Sequence, residues 1–261
     1  MAVLIAGRDT TAATLSWTLY ELAHYPRIYA KLRSEVLRAV GSRGRAPTYE
    51  DLKNMPYLTH TLNETLRLYP AVPYNLRAAL QDTALPSGRA GQPDIALLEG
   101  DVVVYSTLAM QRRRDLYPST DGVMTGKGED GFADPAVFCP ERWGSWTPKP
   151  WTYVPFNGGP RICVGQNFAM TEMAFTRGLS FSSSFLFSLF FYFYFFFIIK
   201  QDRKGWWLTE SSTVVRLLQK YERLEYRGDW RAQFHKAEIV GAPGHGVPVA
   251  FFEADEEEEL A

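Results

Sequence analysis

Cysteine is scarce in this 261-residue chain, which contains only Cys139 and Cys163. Two thiols are too few for a disulfide framework or a cysteine-based zinc site, so each is weighed for its own chemistry. An excess of either charge is also missing, because 28 Lys and Arg oppose 29 Asp and Glu. This balance excludes the global basic field of a nucleic-acid-binding protein. The 46% hydrophobic content is that of a globular protein.

The first residues contain no secretory or transit signature, and no nucleotide-binding fingerprint occurs in the chain. Met1 is followed by residues typical of the interior of a long helix, with Leu15, Leu19 and Leu22 at helical spacing before Pro26. A domain that folds alone normally begins with a cap or a turn. We therefore expect an N-terminal truncation.

Helices dominate the predicted organisation, with small β-prone runs between them. Capping-box spacing of Thr48 and Asp51 predicts one helix start, and Pro56 predicts another, whose helix ends before Pro70. Composition assigns the other segments: short strands over 72–104, loop over 117–150, a helical run over 214–224 and strands near 237–252. The expected fold class is mainly α with small β-sheets.

The sharpest motif runs from Phe156 to Ala169 and reads Phe-Asn-Gly-Gly-Pro-Arg-Ile-Cys-Val-Gly-Gln-Asn-Phe-Ala. Its glycines, including Gly165, allow the backbone to approach a bulky partner closely. Cys163 lies just before a predicted helix, whose dipole favours a thiolate there. Arg161 could pair with a carboxylate of that partner. For an isolated cysteine, the preferred interpretation would be a buried thiol beside a Gly-rich turn.

Two charged motifs precede this loop. Glu64 and Arg67 are three residues apart on a predicted helix and therefore share a face, where they can pair. Arg142 belongs to a Pro-Glu-Arg-Trp turn upstream of Cys163. Taken singly, each motif is also consistent with surface ion pairs worth about 0–1 kcal/mol.

Residues 6–11, Ala-Gly-Arg-Asp-Thr-Thr, form a further motif inside the first predicted helix. Gly7 costs a helix about 1 kcal/mol relative to Ala, and Thr10 can bond back to the Ala6 carbonyl and loosen the turn. Such an opening leaves room for a small ligand. The alternative is that Asp9 and Thr10 are polar helix surface.

Together these motifs resemble the cytochrome P450 family. Phe-x-x-Gly-x-Arg-x-Cys-x-Gly-x-x-x-Ala is that family's heme-binding signature, and every fixed position is present. The resemblance implies heme b, iron protoporphyrin IX, as cofactor and Cys163 as its axial metal ligand. It also implies that Arg161 and Arg77 bind the propionates, and that Phe156 and Gly165 belong to the ligand loop around the sulfur.

The same resemblance gives roles to the other motifs. Glu64, Arg67 and Arg142 would form a buried ionic triad that supports the Cys loop, and removing one member of such a triad costs about 3–5 kcal/mol. Thr10 and Asp9 would be catalytic, in the oxygen-binding groove and on the proton-delivery path. The implied fold is the C-terminal half of the cytochrome P450 fold, truncated at its central oxygen-binding helix.

More narrowly, residues 62–73 and 103–106 resemble the fungal alkane- and fatty-acid-hydroxylating branch, although Tyr74 stands where that branch has a basic residue. The branch implies a monooxygenase that inserts one atom of O2 into a C–H bond of a hydrophobic, lipid-like substrate. NADPH-derived electrons would arrive from an NADPH–cytochrome P450 reductase. The full-length protein would sit on the cytoplasmic face of the endoplasmic reticulum membrane through an anchor absent here, and this fragment alone would be inactive.

Residues 180–199 are unlike the rest, because Phe and Tyr dominate them. The near-apolar run over 185–199 is shorter than the about 17–25 residues that span a bilayer, but the preceding serines could extend it. A membrane hairpin or anchor is therefore one interpretation. The other is a translated intron, since Phe, Ser, Leu, Tyr and Ile share uridine-rich codons. The intron interpretation predicts a heme-binding core fragment at 1–176, an insertion at 177–213 that interrupts a helix, and the rest of the core with an acidic tail at 214–261.

A different class of protein is also considered: a non-enzymatic truncated or mis-spliced product that associates with a membrane through 181–199 and binds no heme. Cys139 has no His or Cys partner nearby in sequence and is interpreted as a core or turn thiol. The three arginines at 112–114 are interpreted as solvated loop in preference to a docking site for an electron donor.

Overall fold

The computed structural model describes residues 2–41, 47–117, 135–174, 213–237 and 239–253. Helices in these ranges are α1 (Ala2–His24), α2 (Pro26–Val40), α3 (Tyr49–Lys53), α4 (Pro56–Leu68), α5 (Thr107–Met110), α6 (Arg142–Ser145), α7 (Gln166–Ala174) and α8 (Thr213–Lys220), with a 3-10 turn at Gly159–Arg161. Strands are β1 (Tyr74–Ala78), β2 (Thr83–Leu85), β3 (Ile95–Leu97), β4 (Val102–Ser106), β5 (Tyr221–Tyr226), β6 (His235–Ala237), β7 (Gly241–Pro243) and β8 (Val249–Glu253). The predicted class, mainly α with small sheets, is confirmed.

The strands pair antiparallel in four two-stranded sheets: β1 with β4, β2 with β3, β5 with β8 and β6 with β7. In the first sheet Asn75 lies opposite Tyr105, and Arg77 lies opposite Val103. Because side chains alternate between faces along a strand, all four residues share one face of this sheet.

Local signals in the sequence set several helix starts. The Thr48 hydroxyl accepts the Asp51 backbone N–H while the Asp51 carboxylate accepts the Thr48 N–H, so the predicted capping box is confirmed. Pro56 occupies the first turn of α4, where its missing N–H costs no hydrogen bond. One prediction was wrong: the helical run over 214–224 ends at Lys220, and residues 221–226 form β5. Pairing with β8 and alternate burial of Leu224 and Tyr226 override helix propensity there.

The core forms where α1, α2 and α4 meet the C-terminal elements α7, α8 and β5. Leucines at helical spacing supply much of it, as the sequence predicted for α1 and α4; the buried ones include Leu15, Leu19, Leu22, Leu32, Leu58, Leu62, Leu66 and Leu218. Burying one such side chain contributes about 1.5–3 kcal/mol.

Residues 177–212 of the predicted insertion, and residues 118–134 of the predicted loop, lie outside the described residues. Helices α7 and α8, on either side of the insertion, contact each other, and α8 also packs on α2. Within the described ranges, no helix combines the length and the apolar character needed to cross a bilayer.

Candidate cofactor-binding site

Cys163 lies between the 3-10 turn and α7, and its backbone closes a tight loop that starts at Phe156. Its backbone N–H donates to the Phe156 carbonyl at 2.9 Å, and its carbonyl accepts the Gln166 N–H at 3.4 Å. The predicted helix therefore begins just after Gly165, as the spacing indicated. The Cys163 side chain is exposed, and Phe156 packs against the hydrophobic core. The Cys163 thiol is thus at the surface, while the loop backbone is held by the hydrogen bond to Phe156, whose side chain packs on the core.

Side chains are disfavoured at two glycines of the loop, Gly159 and Gly158, for different physical reasons. Gly159 has a φ of +65°, a left-handed conformation that side chains disfavour, so a residue with Cβ would be strained at this fixed position of the motif. Gly158 lies under the indole of Trp151, and a Cβ at Gly158 would come within 2.4 Å of that ring. The Trp151 contact was missed by sequence reasoning, because nothing local links the two positions.

Exposed apolar side chains lie close to Cys163 in the sequence. Val164 is fully exposed, and Ile162 and Phe168 are 52% and 69% exposed. Arg161 is exposed beside them. A soft thiolate donor, apolar neighbours and a cation together fit an iron porphyrin, whose ring is apolar and whose propionates are anionic.

Arg77 lies on β1, and its guanidinium is over the Tyr105 ring at 5.6 Å from the centroid. The Tyr105 hydroxyl in turn donates to the Asn157 Oδ1 at 2.9 Å. Through these two contacts the structure brings Arg77 to the Cys163 loop. Neither Tyr105 nor Asn157 was singled out by the sequence; Asn157 stands at an unspecified position of the motif.

Glu64, Arg67 and Arg142 are brought together and buried. Arg67 donates to both carboxylate oxygens of Glu64 at 2.8 Å, and the Arg142 Nε lies 3.5 Å from Glu64 Oε1. Glu64 also accepts the Trp143 indole N–H at 2.9 Å and the Cys139 backbone N–H at 3.0 Å. Burial lowers the pKa of Arg142, while the nearby Glu64 charge raises it. The carboxylate therefore ties α4 to the turn that precedes the Cys loop.

Arg67 extends this network into the loop region. Its Nη1 donates to the Gln111 carbonyl at 2.9 Å and to the Pro135 carbonyl at 2.6 Å. The interpretation of residues 112–114 as solvated was wrong for Arg112, which donates through Nε at 3.1 Å and through Nη2 to the Leu68 carbonyl and so caps the end of α4. Arg113 pairs with Asp115 at the surface, as expected of a solvated loop.

The motif at residues 6–11 lies in the first half of α1. The Thr10 hydroxyl donates to the Ala6 carbonyl, which confirms the predicted back-bond, and Asp9 accepts the Arg8 Nε at 2.6 Å. A Cβ placed on Gly7 would meet nothing within 4 Å, so the helix is open on that side. Asp9 and Thr10 are half-buried.

Cys139 has a different environment from Cys163. It is partly buried, and burial with the neighbouring Glu141 and Glu64 charges raises its thiol pKa to about 12. Cys139 is therefore a neutral thiol at physiological pH, consistent with its interpretation as a turn residue. In the part of the chain that the structure describes, no three His, Cys, Asp or Glu side chains cluster as a metal site.

Comparison with known proteins gives consistent matches. A sequence model of the family described as "Cytochrome P450" matches residues 1–179. The chain is 45% identical over 260 residues to cytochrome P450 monooxygenase pvhE of Talaromyces variabilis, covering 97% of this chain and 39% of that protein. It is 45% identical over 181 residues to cytochrome P450 52A1 of Candida tropicalis, covering 66% of this chain and 31% of that protein.

A solved structure shows the same fold. The crystal structure of a cytochrome P450, CYP102L1, matches with a TM-score of 0.64 at 23% identity, over 97% of this chain and 44% of that one. The chain therefore spans less than half the length of each of these three proteins.

Proposed function

The chain belongs to the cytochrome P450 family, and from that premise we propose that the full-length protein is a heme-thiolate monooxygenase with Cys163 as the iron ligand. One observation carries the proposal: Cys163 is exposed on a closed loop at the start of α7, among exposed apolar side chains. A structural core cysteine would instead be buried, and Cys139 is partly so.

Bound heme would activate O2 so that one oxygen atom enters a substrate C–H bond and the other leaves as water. Cys163, just before α7, would hold the iron through its sulfur. Ile162 and Val164 would exclude water around the sulfur. Arg161 and Arg77 would bind the propionates through charge-assisted hydrogen bonds.

Asp9 and Thr10 would move protons during the reaction. The Thr10 hydroxyl now donates to the Ala6 carbonyl and, by rotation, can donate to a ligand beside the open side at Gly7. Asp9, paired with Arg8, is half-buried and would accept protons from solvent and pass them on. Glu64, Arg67 and Arg142 would have a supporting role and touch neither substrate nor cofactor.

The proposed substrate is an alkane or fatty acid, on the basis of the resemblance of residues 62–73 and 103–106 to the fungal branch that hydroxylates these compounds. The proposed electron donor is an NADPH–cytochrome P450 reductase, which the resemblance to the family implies. The proposed location is the cytoplasmic face of the endoplasmic reticulum membrane.

We further propose the three-part division: core at 1–176, insertion at 177–213, and core again at 214–261. The family match that ends at residue 179 supports this division, as does the contact between α7 and α8 on either side of the insertion.

The deciding experiment is the spectrum of the reduced, CO-bound full-length protein, because thiolate ligation shifts the Soret band strongly to longer wavelength. Cys163→Ala should abolish that band, and Cys139→Ala should leave it. Equal spectra for both variants and the parent would end the assignment of Cys163. A parent that binds no heme would favour the non-enzymatic alternative.

A further inference from the structure

A chain of side-chain hydrogen bonds joins the β1–β4 sheet to the Cys163 loop. The Tyr105 hydroxyl donates to Asn157 Oδ1 at 2.9 Å, and Asn157 Nδ2 donates to Asn75 Oδ1 at 3.3 Å. Asn75 and Tyr105 are opposite one another in the sheet, so both sheet strands hold the same loop residue. All three side chains are half-buried.

Tyr105 has a second contact that makes this connection relevant to the cofactor. Its ring carries the Arg77 guanidinium, at 5.6 Å from the centroid, while its hydroxyl reaches Asn157. A cation over an aromatic face is attracted by the negative potential of the ring. The rigid Tyr105 side chain therefore contacts both groups: its ring lies under Arg77, and its hydroxyl binds the Cys163 loop at Asn157.

Asn157 determines the path of the loop toward Cys163. Its φ of +64° lies in the left-handed region, which Asn and Gly tolerate better than other residues. Its Oδ1 also accepts the Gly158 N–H at 3.0 Å, and its own N–H donates to the Val154 carbonyl at 3.0 Å. The adjacent Phe156 carbonyl accepts the Cys163 N–H. A displacement of Asn157 would therefore move the adjacent Phe156 carbonyl, and with it the Cys163 N–H that binds there.

From these contacts we propose that Tyr105 and Asn157 are positioning residues, which hold Arg77 and the Cys163 sulfur at the spacing that one rigid cofactor requires. The inference rests on the proposed function, because it assigns Arg77 and Cys163 to the same heme. Groups that bind one rigid ligand must keep their relative positions to within about 0.5 Å. The hydrogen bond from Tyr105 to Asn157 supplies that constraint between two elements distant in sequence. Neither residue would touch the iron.

The test uses the full-length holoprotein and follows how fast the thiolate-ligated ferrous CO band converts to the shorter-wavelength band that marks loss of thiolate ligation. Tyr105→Phe removes the phenol donor and keeps the ring under Arg77. Asn157→Gly keeps the left-handed backbone and removes the amide. Each variant should convert about fivefold faster or more, since the lost hydrogen bond is worth about 1 kcal/mol.

Two further variants separate positioning from general stability. Asn157→Asp keeps both left-handed tolerance and the acceptor for Tyr105, so it should convert more slowly than Asn157→Gly. The double variant Tyr105→Phe/Asn157→Gly should convert no faster than the faster single variant, because both remove one shared interaction. Tyr49→Phe, at an exposed tyrosine, is the matched control and should convert like the parent.

If Tyr105→Phe and Asn157→Gly convert at the parent rate, the inference is overturned. The proposed function would still stand in that case, provided that the parent shows the thiolate-ligated band. Variants that melt at lower temperature yet convert at the parent rate would also overturn the inference, since that pattern shows a merely structural role. A parent without the thiolate band would overturn the proposed function itself, and this inference with it.

Discussion

Glu64 and Arg67 lie one turn apart on α4 and meet through two hydrogen bonds of 2.8 Å, with both side chains wholly buried. A second pair in the chain has the same three-residue spacing, Glu50 and Lys53 on α3, but is exposed and 3.4 Å apart. Spacing along a helix is thus identical in the two pairs, whereas their burial and the geometry of their contacts differ.

Removing one member of the buried pair should therefore destabilise the protein far more than removing one member of the exposed pair. Glu64→Gln leaves Arg67 and Arg142 buried without a counter-charge, so we expect a loss of about 3–5 kcal/mol in the free energy of unfolding. Glu50→Gln should cost about 0–1 kcal/mol. Urea denaturation of the full-length protein measures both, and equal losses would contradict the supporting role of the triad.

Thr10→Ala should uncouple electron use from product formation in the full-length enzyme. Heme content and substrate binding should persist, while hydrogen peroxide rises and hydroxylated product falls several-fold, because the step that needs a positioned proton donor loses it. Thr10→Ser retains the hydroxyl and should stay coupled. Thr59→Ala is the matched control, since Thr59 makes the same kind of back-bond to Met55 on another helix. Unchanged coupling in Thr10→Ala would show that Thr10 is only helix surface.

Glu21 should make stability depend on pH. Burial raises its pKa from 4.5 to about 7, although a hydrogen bond from Tyr69 opposes the shift. The folded state therefore binds this proton more tightly than the unfolded state, and the stabilisation is complete below pH 4.5 and lost as the pH rises to about 7. Glu64, Arg67 and Arg112 are the other charged groups that act on Glu21.

Glu21→Gln keeps an oxygen that accepts the Tyr69 hydroxyl but cannot titrate. The unfolding free energy of the parent relative to this variant should fall by up to about 3 kcal/mol between pH 4.5 and pH 7.5. Denaturant titrations at several pH values measure the difference. Glu50→Gln, at an exposed site, should give a curve parallel to that of the parent. A constant difference between parent and Glu21→Gln would show that Glu21 does not retain its proton on folding.

Deleting residues 177–213 should improve heme loading of the full-length protein. The deletion joins Thr176 to Val214 and allows α7 and α8, which already contact each other, to continue as one helix. It also removes an aromatic-rich segment that favours a membrane or aggregation. Replacing 177–213 by a Gly-Ser linker of equal length should help less, because the helix stays interrupted. Sequencing the mature transcript tests the origin directly: an abundant message that retains these codons in frame would contradict the intron interpretation and favour the anchor.

Sequence alone was sufficient wherever the deciding interactions are local. The capping box at Thr48, the helix start at Pro56 and the Thr10 bond to Ala6 each involve residues within one helical turn, so their patterns are readable in order. The same holds for the loop before α7, where glycine conformation and a helix start follow from neighbouring residues.

Other features depended on contacts between residues far apart in the chain. Burial of Glu64 with Trp143, capping of α4 by Arg112 and the bond from Tyr105 to Asn157 all connect separate elements. Residues 221–226 likewise became a strand because β8 offered backbone partners. Charge, amide and phenol groups are common at any surface, and only packing removes the water that would otherwise satisfy them. The sequence therefore determined which residues carry the chemistry, whereas the tertiary structure decided which of them are desolvated and held against one another.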